Sequence, residues 1–214
     1  MINICVLTAS LAWVSPGYAE GADSGFLGDY SKLAEVKDAS GETVLRYVNP
    51  DVKPGAYHAV RLDPIEYYPA PKPTEQVSAQ TLTEIAEYMD KGIRDALSRK
   101  VNVFMESGPG VARMRTAITA VAPKSPALRP YELLPIAFLI SAAAGRGKEA
   151  TIQIEVQLVD SVTGELIGES VRKGTGAKLA SETAPLSLKD IQPLLDKWIE
   201  TGTQFMEERL FRSQ

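Results

Sequence analysis

Residues 151–159 constrain this chain more than any other stretch. Ile152, Ile154, Val156 and Leu158 fall on one parity, and Thr151, Gln153, Glu155 and Gln157 on the other. Successive side chains of a strand point to opposite faces, so the alternation predicts a half-buried strand with a wet polar face. Asp160-Ser161-Val162-Thr163-Gly164 then supplies turn residues, and residues 165–172 read as the returning arm of a hairpin. Lys173-Gly174-Thr175-Gly176 predicts the start of a loop. Such a sheet needs cover over its apolar face.

Two amphipathic segments can supply that cover. In residues 79–99, Leu82, Ile85, Ala86, Met89, Ile93, Ala96 and Leu97 recur at helical spacing. Ser78 can cap the first turn, and Thr81 with Glu84 offers a second capping box. In residues 188–211, Leu188, Ile191, Leu194, Leu195, Trp198, Phe205 and Met206 form a second stripe, preceded by the capping pair Ser187 and Asp190. Further strands are predicted at 44–48, at 59–67 with an interruption at Pro64, at 101–105 and at 111–121. In the last of these, Met114, Thr116 and Ile118 share one face, and Arg113 and Arg115 the other. Residues 133–144 are nearly all apolar but too short to span a bilayer, which takes about 20 residues. They predict a buried helix or crossover, or alternatively a contact surface for a partner or a membrane interface.

The order of elements predicts an α+β fold, a mostly antiparallel sheet with two long helices packed on it. Residues 20–76 are rich in proline and read as an N-terminal segment with short strands. That segment is expected to share one domain with an α+β core at 77–214. The length of 214 residues suits a single domain after a leader, and 44% apolar with 23% charged residues is a globular balance.

The first nineteen residues differ from the rest. No charge occurs before Glu20, residues 2–14 are mostly apolar, and Gly17-Tyr18-Ala19 offers a small-x-small cleavage site. This predicts a signal peptide at 1–19 and an exported protein, although Met1-Ile2-Asn3 supplies no positive charge. The only cysteine is Cys5, inside this leader. A mature chain from residue 20 would hold no disulfide, thiolate nucleophile or zinc–thiolate site.

Little catalytic chemistry can be assembled from the remainder. The one histidine is His58, and no Gly-x-Ser-x-Gly elbow accompanies it. Ser107-Gly108-Pro109-Gly110 and Gly145-Arg146-Gly147-Lys148 lack phosphate-loop spacing. No cofactor or metal is therefore expected. Carboxylate chemistry stays open, but 27 Asp and Glu residues single out no pair. A net charge of −4 argues against nucleic acid.

Several motifs nevertheless occur together. They are Ser24-Gly25-Phe26-Leu27-Gly28-Asp29-Tyr30, Leu45-Arg46-Tyr47-Val48-Asn49-Pro50, Tyr57 with Leu62-Asp63-Pro64, Gly108-Pro109-Gly110-Val111-Ala112-Arg113-Met114-Arg115, and Asp160-Ser161-Val162-Thr163-Gly164-Glu165. In order and spacing they resemble the bacterial cell-envelope lipoproteins grouped as domain of unknown function 3313. The resemblance implies export to the periplasm, often with lipid attachment to the outer membrane, and transfers no activity. Cys5 lacks the Leu-Ala-Gly-Cys-like context that lipid attachment wants.

The expected function is thus that of a non-catalytic binding or assembly factor in the periplasm or at the outer membrane, with another envelope protein as partner. Its candidate interaction surface comprises Phe26, Tyr30, Arg113, Arg115, Leu134 and Phe138. Peripheral association with a membrane and the oligomeric state stay open. The rival readings are a carboxylate-based hydrolase of cell-wall or polysaccharide substrates, and a carrier of a small apolar ligand with a pocket under residues 133–144.

Overall fold

A computed structural model describes residues 23–119, 138–143, 146–181 and 184–211. The elements run β1 (Ala34–Lys37), β2 (Thr43–Val48), β3 (Ala59–Leu62), β4 (Glu66–Tyr68), α1 (Ala79–Ser98), β5 (Asn102–Phe104), β6 (Val111–Thr119), β7 (Phe138–Ala143), β8 (Arg146–Asp160), β9 (Leu166–Lys178) and α2 (Leu188–Met206). A π-helical turn, Glu207–Phe211, continues α2. The leader at 1–19, with Cys5, and Leu134 lie outside the described residues.

All nine strands join one sheet in the order β1-β2-β9-β8-β6-β3-β5, with β4 also paired to β6 and β7 to β8. The long strand β8 accepts two neighbours along one edge, β7 on residues 146–152 and β6 on residues 153–160. Strand β6 does the same with β3 and then β4.

The expectation of a mostly antiparallel sheet is overturned. Strand β3 runs parallel to both β5 and β6, and β4 runs parallel to β6, so the sheet is mixed. Parallel neighbours need a long crossover, and the chain from β3 to β5, which contains α1, provides one. Strands of three or four residues are too short to show the continuous apolar run that marks a parallel interior. Two local readings change as well. Residues 138–143 form a strand rather than a helix or crossover, because a short apolar run carries no period that separates the two. The segment from Lys173 to Gly176 continues β9 instead of opening a loop.

The helices lie over one face of this sheet. From α1, Leu82, Ile85, Met89, Ile93 and Leu97 are buried, and from α2, Ile191, Leu195, Trp198 and Met206. They meet Val60, Met114, Ile118, Ile152, Ile154, Leu158 and Ile167 of the sheet in one apolar cluster. Each large side chain so buried contributes roughly 1.5–3 kcal/mol. The helix starts match their caps: Ser78 Oγ accepts from the Thr81 N–H at 3.0 Å, and the Asp190 carboxylate accepts from the Ser187 N–H at 2.8 Å.

Glycine sets how close α2 comes. A Cβ on Gly176 would stand 2.3 Å from the Asp190 carbonyl oxygen, and one on Gly174 would stand 2.7 Å from the Trp198 ring. A Cβ on Gly202 of α2 would meet nothing within 4 Å. Gly176→Ala should therefore cost about 1–3 kcal/mol through forced displacement of α2. Gly202→Ala should be neutral or stabilising by up to about 1 kcal/mol. Urea denaturation of the two variants checks this; equal stability would mean that α2 does not rest on β9 as described.

Candidate functional site

The outer face of the sheet, expected to be wet, is covered at its centre. Gln153 and Glu155 of β8 are 1% and 0% exposed. The cover is the segment that begins at Ser24. Phe26, Leu27 and Leu33 pack on Ala117 of β6 and Val171 of β9. Gly25 and Gly28 take φ of 93° and 81°, the left-handed conformation that glycine adopts without strain, and so fold the segment back on itself. This turn brings Tyr30 over β8. Its hydroxyl donates to Glu155 Oε2 at 2.6 Å and accepts from the Gly25 N–H at 3.0 Å. Thr119 Oγ1 and Gln153 Nε2 each donate to Glu155 Oε1 at 2.9 Å. Burial and the hydrogen bond to Glu155 raise the Tyr30 pKa above its ordinary value.

Of the residues singled out from sequence, Phe26, Tyr30 and Arg115 come together on the outer face, while Arg113 turns to Asp63 and Phe138 lies on β7. Phe26 is buried, stacks edge-on against Tyr68 with ring centroids 5.8 Å apart, and lies 4.7 Å beneath the Arg115 guanidinium. Arg115 also donates to Gln157 Oε1 at 3.1 Å. Arg113 donates through Nε to Asp63 Oδ2 at 2.8 Å, and Arg61 holds the other oxygen of Asp63 at 3.0 Å. Burial alone would raise the Asp63 pKa, but the two guanidiniums outweigh it and lower it. Phe138 opens β7 opposite Ile152. His58 packs on Gly110 and meets the Phe104 ring edge-on at 6.2 Å. Among the described residues, no group of three or more His, Cys, Asp or Glu could hold a metal ion.

A cavity lies elsewhere, between α2 and the sheet, with a volume of about 90 Å³. Its walls include Met89, Ile93, Met114, Ile154, Val156, Leu158, Ile167, Trp198, Phe205 and Met206. Small residues open it: Ser170 on β9 and Gly202 on α2. The expected pocket under residues 133–144 falls largely outside the described residues.

The polar part of the lining is arginine. Arg46, Arg172 and Arg209 all border the cavity. Arg172, 7% exposed, donates Nη1 to Asp38 Oδ2 at 2.6 Å. The turn after β1 positions Asp38, whose Oδ1 accepts from the Ser40 and Glu42 N–H groups at 2.9 and 3.0 Å. Burial opposes ionisation of Asp38, yet the Ser40 and Arg172 hydrogen bonds prevail and bring its pKa to about 2. Arg46 has its Cζ 3.7 Å from the centroid of the Phe205 ring. Burial, and then the like charge of Arg172, lower its pKa to about 10. Sequence reading missed this group. The available signal was Arg172 itself, a charge on the parity of Gly168 and Ser170 in an otherwise regular strand.

Fold and cavity together define a mixed-sheet α+β domain with an apolar cavity bordered by arginines. The profile of a protein family of unknown function, DUF3313, matches residues 22–201, and the chain belongs to that family. It is 32% identical over 186 residues to the uncharacterized lipoprotein YdcL of Escherichia coli K12, covering 85% of this chain and 84% of the relative. Among solved structures it is similar to the PelC dodecamer of Paraburkholderia phytofirmans (10% identity, TM-score 0.39, 77% of this chain and 94% of that one). It is also similar to the hypothetical protein CT253 of Chlamydia trachomatis (10% identity, TM-score 0.41, 70% and 98%).

Two outcomes check this geometry. Tyr30→Phe should lose about 1–3 kcal/mol, because the Gly25 N–H loses its acceptor and Glu155 a donor, and should expose residues 24–33 to limited proteolysis. Unchanged cleavage would mean that the hydroxyl does not hold the segment. The Asp38 pKa is depressed in the fold, so its contribution to stability is present above the ordinary value of 3.8 and is lost as pH falls towards 2. Asp38→Asn should be less stable at neutral pH, and its deficit should shrink between pH 4 and 2 in acid unfolding monitored by circular dichroism. A constant deficit would place the Arg172–Asp38 pair outside the stability of the fold.

Proposed function

We propose that the protein is an exported, envelope-associated, non-catalytic binding protein that holds a small apolar ligand beneath α2. The cavity carries this reading. An apolar space of about 90 Å³ exceeds the water-sized voids of a well-packed interior, and the polar groups at its border support a ligand site there. The leader-like first nineteen residues and the lipoprotein relative support the envelope assignment.

The hydrolase reading draws less support. Among the described residues, the only carboxylic acid bordering the cavity is Glu169, and its side chain accepts from Gln157 Nε2 at 2.9 Å. The buried carboxylate of Glu155 is closed over by Tyr30. A hydrolase needs two carboxyl groups facing a common substrate space.

Isothermal titration calorimetry with decanol tests the binding reading. Saturable binding to the wild-type protein is expected. Gly202→Leu, which puts a side chain into open space at the cavity wall, should weaken it at least tenfold while melting at or above the wild-type temperature. Failure of the wild type to bind decanol or any other single-chain amphiphile, or equal binding by the filled variant, would overturn the reading.

A further inference from the structure

The polar end of the cavity holds more cationic than anionic charge. Arg46 and Arg172 both border it, and the carboxylate recorded against them is that of Asp38. Asp38 engages only Nη1 of Arg172; Nη2 is buried and has no hydrogen-bond partner among the described residues. Leaving a charged donor unpaired at this depth is costly, so buried guanidiniums normally use their whole fork. Arg46 forms no ion pair with a described residue and is held flat over Phe205. Arg46, Arg172 and the exposed Arg209 stand against Asp38 and Glu169, which leaves about one uncompensated positive charge beside an apolar space.

From this arrangement we infer that the cavity takes a single-chain amphiphile with an anionic head, a carboxylate or a phosphate ester. The inference deepens the binding reading above and rests on it. The head sits against Arg46 and Arg172, where planar forks match the oxygens of either group. The chain runs beneath α2 along Val156, Ile154 and Met206. Stacking on Phe205 keeps the Arg46 guanidinium ordered before ligand arrives, so little rotamer entropy is lost on binding. Asp38 keeps Arg172 in place without neutralising Arg46. A neutral apolar ligand would leave Nη2 as unsatisfied as it is in the unliganded protein.

Calorimetry at neutral pH and low salt separates the parts of this inference. Decanoate is expected to bind at least tenfold more tightly than decanol, which has the same chain and no charge. Arg46→Gln should remove that preference by weakening decanoate about tenfold more than it weakens decanol; Arg46→Lys should retain part of it. Lysophosphatidylglycerol in place of decanoate distinguishes a phospholipid source from a free acid, and tighter binding than decanol by either upholds an anionic head. Equal affinity for decanoate, lysophosphatidylglycerol and decanol would overturn the anionic inference while leaving the cavity reading intact. No binding of any of the three would overturn both.

Discussion

A carboxylic acid without exposed surface has to be surrounded by donors, because an unpartnered charge in a protein interior is too costly to keep. Glu155 meets that demand with three side chains, and the one that comes from furthest away in sequence is Tyr30. The Tyr30–Glu155 contact joins residues 125 positions apart and fastens the start of the fold to the middle of its longest strand. The rest of the outer face follows from it. Once Tyr30 is placed, Phe26 and Leu27 come down on Ala117 and Val171, and Arg115 lies over the Phe26 ring. The sheet thereby has an apolar layer on each side, although only one side carries helices.

On the helical side the packing is uneven. Close to the start of α2, Gly174 and Gly176 let the helix backbone approach β9. Towards its end, Ser170 on the strand and Gly202 and Thr203 on the helix border the cavity left between them. Interiors normally pack to the density of organic crystals. A gap bordered by Arg172 at one side and methionine and isoleucine at the other departs from that in a chemically consistent direction.

Much of this could be read from residues alone, for identifiable reasons. Helix α1 was legible because its apolar stripe and its Ser78 cap agree. The β8–β9 hairpin was legible from strict alternation and the Asp160–Gly164 turn. The parallel strands were not, because β3, β4 and β5 are too short to show a pattern and their pairing depends on a crossover. The parity of Gln153 and Glu155 correctly separated them from the helical core, but alternation records only which faces differ, not what lies on each. The motifs that carry the family likeness make internal contacts. Tyr30 holds Glu155, Asp63 holds Arg113, and Gly110 makes room for His58. The cavity arginines could not be grouped in advance, since Arg46 and Arg172 are brought together only by the β2–β9 pairing.

The glycine contacts give α2 an unequal mechanical character. Its first turns bear on backbone atoms of β9 and cannot rise without tearing that contact open. Its last turns border the cavity, and Met206 with Leu210 beyond it seats them in the same apolar cluster. The helix thus rests on backbone atoms of β9 at its start and on side chains where it roofs the cavity, so a change of side chain reshapes the cavity while a change of the β9 glycines shifts the helix.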